Sequence, residues 1–450
     1  MAQFTPSRRR ETLAAASLGA PAAVRPYLQS LVAVWIELRE PVFVFLVARI
    51  ALTILAAYSA TSFIFLFDVP VDTYTNRPEL GILEEYFFGV WQRWDGQWYL
   101  KIATHGYYSW DNSTAFFPLY PLLIVLSGRL TGLPYHVSAL VVSSVALLVG
   151  LIYLYRLVVA DFGPIIARRT LVYLMVFPMS FFLVAVYTES LYLALSVASF
   201  YYARRGRWWM AGVLGLLTSA TRSTGVVLLV PLAYEYLRQR GLGLTDLYRD
   251  LQLEPRAMLR YPLRLRSDVL ALALVPGGLL LYMLYTYLAM GDAFAFRHAQ
   301  EYWQRDFAWP WQTLAESWRL LDPAQNPLIP PQLPYTNLRE SLVAGGLKES
   351  NGYNLIFTLL AFGLAIYSIG RLPLAYVLHT YLSLLFPLFS PSASLGPLVS
   401  MPRFILVIFP LFIALAFLGR HRWVDWLVLY PSLTLLGIFT ARFACWYWVA

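Results

Sequence analysis

The chain consists mainly of long apolar runs separated by shorter polar segments, and these runs predict membrane-spanning helices. Most of them are near the length needed to cross about 30 Å of hydrocarbon. They lie at about 41–67, 137–157, 170–187, 190–203, 209–220, 225–237, 269–290, 354–369, 373–390, 403–418 and 424–443. The strands of a membrane barrel would alternate apolar and polar residues instead. The pattern therefore predicts an all-α, polytopic membrane protein with about eleven spans.

Three of these segments, 190–203, 209–220 and 225–237, are shorter than the roughly 20 residues of a full crossing. We expect half-helices around a water-filled cavity, where polar backbone is tolerated at membrane depth. One long tilted helix over 208–237 is the alternative, and it would change the number of spans. Residues 117–121 begin a further apolar stretch, which we place at the outer surface because a crossing there would invert the charge bias downstream.

Composition supports the membrane class, because 59% of the 450 residues are hydrophobic and only 13% are charged. Short basic loops stay in the cytoplasm, which places the arginine-rich linker 238–268 inside, against anionic headgroups of the cell membrane. Residues 1–40 are then a basic cytosolic tail, and 41–450 form a single transmembrane domain. The two longer connections, about 68–136 and 291–352, fall outside.

The first outer connection contains the candidate catalytic residue. From 87 to 102, large apolar residues recur at spacings of three and four with charged residues between them, which predicts an amphipathic helix lying on the membrane. Asp95 falls at the margin of the apolar stripe, and Gly96 leaves space beside it. A carboxylate in that position is partly desolvated and suited to accept a proton. Most aspartates have no catalytic role, so position alone makes Asp95 no more than a candidate.

Six short motifs follow one another along the chain. They are Arg93-Trp94-Asp95-Gly96, Ala115-Phe116-Phe117-Pro118-Leu119-Tyr120-Pro121-Leu122, Tyr187-Thr188-Glu189-Ser190, Thr221-Arg222-Ser223-Thr224-Gly225, Gly291-Asp292-Ala293-Phe294-Ala295-Phe296 with His298-Ala299-Gln300 and Trp303, and Pro402-Arg403-Phe404. In this order, over about residues 40–420, they resemble the PIG-V family of membrane mannosyltransferases in the GT-C superfamily. Eukaryotic members usually have alanine and then histidine shortly after the Trp-Asp pair, whereas this chain has Gly96-Gln97-Trp98. It therefore resembles a prokaryotic branch, and the departure concerns the acceptor more than the chemistry.

The resemblance implies a GT-C fold and transfer of mannose from a polyprenyl-phosphate donor to a hydroxyl outside the cytoplasm, with inversion at the anomeric carbon. Among GT-C enzymes the catalytic acidic residue lies in the first outer loop, and Asp95 is the matching position. Direct displacement needs one base and stabilisation of the departing phosphate, without a second carboxylate. The acceptor is a lipid-linked or glycan hydroxyl that no sequence feature identifies. Residue chemistry also leaves mannose and other hexoses open.

Two arginines are candidates for binding the donor phosphate. Arg222 lies in an apolar neighbourhood, where a lone guanidinium is costly, and Arg403 opens a span from the outer side. The alternatives are that Arg222 pairs with the intramembrane Glu189 and that Arg403 extends to the headgroups. His105 and His298 are placed outside and could bind phosphate or sugar hydroxyls, or serve as hydrogen-bonded structural residues.

Aromatic residues are candidates for contacts with the sugars. Trp94 and Trp98 flank Asp95 and, together with Glu189, are predicted to contact the donor. In the second outer connection, Trp303, Trp309, Trp311 and Trp318 could stack on an acceptor or form an interfacial belt.

No cofactor and no metal site are predicted. There is no DxD pair of the kind that holds a cation to a nucleotide diphosphate, although divalent-metal dependence stays open. Asp111 and Asp292 are weaker catalytic candidates, because each lies next to a turn-forming or small residue and could serve local hydrogen bonding. The predicted partners are a polyprenyl-phosphate sugar, a lipid or glycan acceptor and membrane lipids, not nucleic acid. The alternative function is a multi-pass transporter or flippase of lipid-linked sugars without transferase activity, for which Asp95 would be replaceable.

Overall fold

A computed structural model describes residues 25–62, 81–243, 265–322 and 338–449, and every regular element in these ranges is helical. The α-helices are α1 Arg25–Ser62, α2 Ile82–Phe87, α3 Asp95–His105, α4 Leu119–Thr131, α5 Tyr135–Phe162, α6 Pro164–Val176, α7 Glu189–Arg204, α8 Trp208–Thr221, α9 Leu229–Gln239, α10 Gly277–Met290, α11 Ala295–His298, α12 Pro310–Arg319, α13 Leu338–Ser368, α14 Leu374–Leu388, α15 Met401–Leu406, α16 Phe409–Leu418 and α17 Arg422–Ala444. Short 3-10 helices lie at Gly89–Trp91, Asn112–Ala115, Ser180–Leu183, Ser223–Leu228, Ser267–Leu274 and Ala299–Trp303. The all-α prediction is confirmed for this part of the chain. Most of the predicted N-terminal tail and of the basic linker lies outside the described residues.

Within the described ranges, three helices are long and apolar enough to cross a membrane. They are the part of α1 at Glu37–Ser62, α5 and α17. The 3-10 helix Ser267–Leu274 and α10 meet at a bend of 49° and would make a fourth crossing if they form one span. Helices α4, α14 and α16 are also apolar but shorter. A polytopic membrane protein is therefore supported, and the count of about eleven spans stays a prediction.

The centre of the bundle is α7, which packs between α5 and α8. Its residues are nearly all buried, and many of them are small, including Ala194, Ser196 and Ala198. Small side chains allow close approach of helices where lipid provides little hydrophobic drive for association. The hydroxyl of Ser199 donates to the carbonyl of Ala211 over 2.8 Å and fastens α7 to α8. Contacts on both sides therefore fix α7, and with it the positions of its two ends, relative to α5 and α8.

The predicted amphipathic helix over 87–102 is wrong. The chain instead forms α2, a 3-10 turn and then α3, which begins at Asp95. Trp91 and Arg93 are both fully buried, so this segment enters the protein and cannot lie along its surface. The break before α3 occurs at Trp94, whose positive φ is incompatible with an α-helix.

Besides the bent pair within 269–290, three predicted continuous helices are broken in the structure. The segment 170–187 ends as an α-helix at Val176, because Phe177 precedes Pro178 and adopts an extended backbone. The segment 403–418 is divided between α15 and α16, with Pro410 in the first turn of α16. The single long helix over 208–237 is also wrong, and the predicted break there is confirmed, since Arg222 is extended between α8 and the next 3-10 helix.

Candidate functional site

Asp95 is the first residue of α3, directly after a strained turn. The backbone of Trp94 has φ 53° and ψ −119°, a region that a bulky residue occupies at a cost of about 1–3 kcal/mol. The indole ring of Trp94 meets Trp446 and Trp448 edge to face, with ring centroids 5.8 and 5.2 Å apart. This packing supports the strained turn and fixes the position of Asp95 at the start of α3.

The segment before Glu189 is docked against the segment before Asp95. The amide of Val186 donates to the carbonyl of Trp91 over 3.0 Å. A side chain at Gly96 would begin 3.2 Å from the carbonyl oxygen of Val186, so glycine permits this contact. The space that Gly96 is predicted to leave beside Asp95 is therefore occupied by the backbone of another segment. The contact brings the starts of α3 and α7 together.

Two arginines and two carboxylates form a continuous ion-pair network at this junction. Arg403 places Nη1 2.6 Å from Oδ2 of Asp95 and Nε 2.9 Å from Oε1 of Glu189. Arg222 donates from Nη1 to the same Oε1 over 2.9 Å. The predicted alternative of an Arg222–Glu189 pair is confirmed. The alternative that Arg403 extends to headgroups is wrong, since its side chain points inward to the carboxylates. We call Asp95, Glu189, Arg222 and Arg403 the charge cluster.

Local backbone geometry explains why the two arginines reach the charge cluster. Arg222 follows the end of α8 in an extended conformation, and the chain then turns back sharply. A side chain at Gly225 would begin 2.5 Å from the Cα of Ser219, so only glycine fits this turn. Arg403 lies in α15, whose start is set by Ser400 at φ 66° and by Pro402 in the first turn.

A cavity of about 820 Å³ opens beside the charge cluster. Asp95, Arg222 and Arg403 line it, whereas the fully buried Glu189 lies behind them. Its other walls are mainly aromatic and apolar and include Tyr99, Phe116, Phe117, Val226, Leu279, Phe296, Trp303, Phe307, Phe386, Phe389, Leu395, Val399, Phe404 and Trp448. An apolar cavity with a few convergent polar groups is typical of small-molecule sites.

The other residues predicted to bind the donor lie away from this cavity, whereas Trp303 of the second outer connection lines it. Trp98 stacks on Phe116, with the ring centroids 5.5 Å apart, and Phe116 in turn lines the cavity. Trp94 supports the turn before Asp95. His105 is exposed at the end of α3, and His298 is exposed on α11. The structure thus joins Asp95, Glu189, Arg222 and Arg403 into one site, and the roles of all these residues stay predictions.

The local roles considered for Asp111 and Asp292 are confirmed. Asp111 lies 2.7 Å from the ammonium of Lys101, and Asp292 lies 2.7 Å from Nδ1 of His298. The hydrogen bond with His298 lowers the pKa of Asp292 below its ordinary value. Neither aspartate lines the cavity.

Sequence reasoning did not select Arg297, Arg305 and Trp448 among the residues that line the cavity. Arg297 and Arg305 come from the second outer connection, and Trp448 follows α17. Arg305 is one of several charged residues among aromatic ones in its segment, and Trp448 follows an apolar run. Neither therefore carried a signal that separates it from its neighbours. Across the described residues, no group of three or more His, Cys, Asp or Glu side chains could hold a metal ion.

Comparison with known proteins identifies relatives of this chain. The family described as Mannosyltransferase (PIG-V) matches residues 41–295. The chain is similar to GPI alpha-1,6-mannosyltransferase 2 of Rattus norvegicus, with 35% identity over 156 residues, and of Mus musculus, with 33% identity over 155 residues. Each of these matches covers 32% of this chain and 31% of the relative, so the chain spans about a third of the length of these curated relatives.

The human protein of the same name is 29% identical over 155 residues, again 32% of this chain and 31% of the relative. No solved structure matches the chain. The family match covers more than half of the chain and includes Asp95, Glu189 and Arg222 of the charge cluster. The chain therefore belongs to the PIG-V family of mannosyltransferases.

Proposed function

We propose that this chain is an inverting glycosyltransferase that moves a hexose, mannose first, from a polyprenyl phosphate to a hydroxyl of a lipid-linked or glycan acceptor. The observation that carries the proposal is Asp95, a carboxylate that reaches a largely apolar cavity while two arginines lie beside it. The cavity volume of about 820 Å³ lies in the range of small-molecule sites, roughly 300–1,000 Å³. The family match supports mannose as the sugar.

In the proposed reaction, Asp95 accepts the proton of the acceptor hydroxyl. The hydroxyl oxygen attacks the anomeric carbon, and the bond from that carbon to the phosphate oxygen breaks on the opposite face. The electron pair of this bond stays on the phosphate, so negative charge develops there. Arginine side chains at the cavity stabilise this charge more in the transition state than in the bound donor, which is the difference that accelerates a reaction. Neither a metal ion nor an organic cofactor takes part in the proposal.

The proposal includes a GT-C fold with about eleven spans in the cell membrane and an active site on the extracytoplasmic face. The short and bent helices α8, α9 and α10 support spans that are broken near a cavity. Orientation rests on the arginines at the far end of α7, where Arg204, Arg205 and Arg207 form a short basic loop. Such loops favour the cytoplasm. Glu189 starts α7, and its end of the helix then faces the opposite side of the membrane.

Transfer from a defined polyprenyl-phosphate mannose to a panel of lipid acceptors in liposomes tests the proposal. We expect Asp95→Asn to lower the transfer rate by about 10²- to 10⁴-fold, because a general base contributes this much to proton transfer. Asp111→Asn is the control, since Asp111 is a carboxylate of the same connection that does not line the cavity. Folded yield is measured in parallel by size-exclusion chromatography and thermal melting.

Retained transfer by the folded Asp95→Asn variant would exclude Asp95 as the base. If the wild-type protein moves lipid-linked sugars across the bilayer but transfers none of them, the transporter or flippase alternative replaces the proposal. A fluorescent polyprenyl-phosphate sugar in the same liposomes reports that movement.

A further inference from the structure

The charge cluster is already balanced by its own residues. Arg222 and Arg403 contribute two positive charges, and Asp95 and Glu189 contribute two negative charges at distances of 2.6 to 2.9 Å. A phosphate that bound only to these arginines would compete with the carboxylates and would lie close to the negative charge of Asp95. The binding charge for an anionic donor is therefore expected from another residue of the cavity.

Arg305 is such a residue, because it lines the same cavity and has no carboxylate within 4.0 Å among the described residues. Its Nη1 donates to the backbone carbonyl of Ser390 over 3.0 Å. Burial, together with the nearby charge of Arg403 and against the opposing charge of Asp95, lowers the pKa of Arg305 to about 10. The side chain is thus still charged at neutral pH, and a partly buried cation without a counter-ion is stabilised by any anion that enters the cavity.

The backbone around Arg305 is held rigidly toward the cavity. Arg305 and Ser392 form an antiparallel bridge, and the amide of Ala393 donates to the carbonyl of Gln304 over 3.1 Å. The hydroxyl of Ser392 also donates to the carbonyl of Trp303 over 2.6 Å. These bonds join two segments that are nearly ninety residues apart in sequence. An arginine whose backbone is fixed in this way and whose guanidinium already donates to Ser390 loses less freedom on binding, which favours affinity.

We infer that Arg305 binds the phosphate of the lipid-linked donor, while Arg403 and Glu189 position the base Asp95. The inference rests on the proposed function and deepens it. The donor is a phosphodiester with one negative charge, which matches the single positive charge of Arg305, a residue without an ion-pair partner among the described residues. When the bond to the sugar breaks, its electron pair stays on the phosphate, and the acceptor proton passes to Asp95. The second negative charge on the phosphate then strengthens its contact with Arg305.

Arg297 shares the cavity wall but does not match this role. Its side chain is exposed, and its Nη1 lies 3.4 Å from the backbone carbonyl of Arg305. Water and salt screen an exposed cation, so its attraction to a phosphate is weak. The partly buried position of Arg305, next to Arg403, makes it the stronger contact.

Binding of a short-chain polyprenyl phosphate and of the uncharged polyprenol of equal length to the purified protein tests the inference. The wild-type protein should bind the phosphate more tightly than the alcohol. Arg305→Gln should lower affinity for the phosphate by about 10- to 100-fold, as for loss of a charge-assisted hydrogen bond, and leave affinity for the alcohol unchanged. Arg305→Lys should recover part of the difference, because lysine keeps the charge but not the planar donors.

Arg319→Gln is the matched control, since it removes one exposed arginine from the same outer connection and leaves phosphate affinity at the wild-type value. Unchanged alcohol binding by Arg305→Gln also shows that the cavity is intact. The inference is overturned if Arg305→Gln binds the phosphate as the wild-type protein does. It is also overturned if affinity for phosphate and alcohol falls equally, because Arg305 would then shape the cavity only.

The transfer assay separates this inference from the proposed function. If the wild-type protein binds the phosphate through Arg305 but transfers no sugar, the proposed function fails and the binding role of Arg305 stands. If the wild-type protein transfers sugar and Arg305→Gln retains both phosphate affinity and KM for the donor, only the inference fails.

Discussion

Helix α7 ends in a buried cluster of charges at each terminus, and the two clusters differ in how completely their charges are paired. Glu189 begins the helix and Arg204 ends it, about 22 Å away along the axis. Each cluster combines two carboxylates with arginines from distant segments. One lines the cavity and the other does not. The comparison therefore separates the requirements of a structural cluster from those of a site.

At the Arg204 end, every carboxylate oxygen is paired. Asp161 accepts from Arg204 and from the hydroxyl of Tyr376, each over 2.6 Å. Glu235 is fully buried and accepts from Arg204, from two nitrogens of Arg238 and from the amide of Gln239. We call these residues the closed cluster. The closed cluster joins α5, α7, α9 and α14. Because every carboxylate oxygen already accepts a hydrogen bond, few acceptors remain for a ligand.

At the Glu189 end, bonding capacity is left over. Oε2 of Glu189 is buried and accepts no hydrogen bond from the described residues. Nε of Arg403 lies 2.9 Å from Glu189 but in poor alignment for a hydrogen bond. The side chain of Asp95 is 26% exposed and faces the cavity. Buried polar groups are normally satisfied, so unsatisfied ones beside a cavity are typical of binding or catalysis.

Glu189→Gln should produce the largest effect on the charge cluster. It leaves Arg222 without its carboxylate and takes one of two carboxylates from Arg403, inside the protein. We expect a loss of about 3–5 kcal/mol in the free energy of unfolding, the range for breaking a buried ion pair. Arg403, the partner of Asp95, also loses a contact that positions it, so transfer per folded molecule should fall by about 10²-fold or more. Thermal melting and the liposome transfer assay measure the two effects.

Glu235→Gln is the matched change in the closed cluster. It should destabilise the protein to a similar degree, because Arg204 and Arg238 lose a fully buried partner. Transfer per folded molecule should stay within about threefold of the wild-type rate. General acid–base catalysis requires contact with the reacting groups, and Glu235 does not line the cavity. If Glu189→Gln and Glu235→Gln lost transfer equally, the two ends of α7 would not differ in their importance for catalysis.

Arg403→Lys should have a smaller effect and tests how Asp95 is held. Arg403 contacts Asp95 and Glu189 through different nitrogens of one planar group. A lysine ammonium is a single point charge and cannot keep both contacts in the same geometry. We expect transfer to fall by about 10- to 100-fold, as for the loss of one charge-assisted hydrogen bond.

Arg204→Lys makes the same change in the closed cluster and should lower only the melting temperature. Wild-type transfer by folded Arg403→Lys would show that Asp95 needs no such support.

The sequence predicted the members of the charge cluster better than their contacts. Asp95, Glu189, Arg222 and Arg403 could be selected because each lies in a short motif, and an intramembrane charge demands a partner. The Asp95–Arg403 pair joins residues 308 positions apart, which no local pattern encodes. Arg305 was missed because its importance comes from lacking a counter-ion in the folded state, a property of tertiary structure.

The fold was predictable where hydrophobicity alone decides it. Apolar runs located α5, α14 and α17, because continuous apolar segments favour helices in a membrane. The predicted amphipathic helix over 87–102 failed because its spacing matches a helix whose charged side faces water. In the protein, Arg93 is buried instead, where it pairs with Glu85 and lies over the ring of Trp446. Periodicity cannot distinguish a solvated charge from a buried and paired one.

Tyr376→Phe should give the smallest effect and probes whether the two ends of α7 are independent. The variant removes the hydroxyl that donates to Asp161 over 2.6 Å and keeps the aromatic ring against Phe200 and Phe409. Loss of one hydrogen bond to a charged group should lower the free energy of unfolding by about 1.5–3 kcal/mol. Transfer per folded molecule and donor KM should not change, because the hydroxyl lies at the opposite end of α7 from Asp95. A fall in transfer per folded molecule of more than about threefold would mean that α7 couples the closed cluster to the cavity. Independence is the expected result, since no residue of the closed cluster lines the cavity that Asp95 faces.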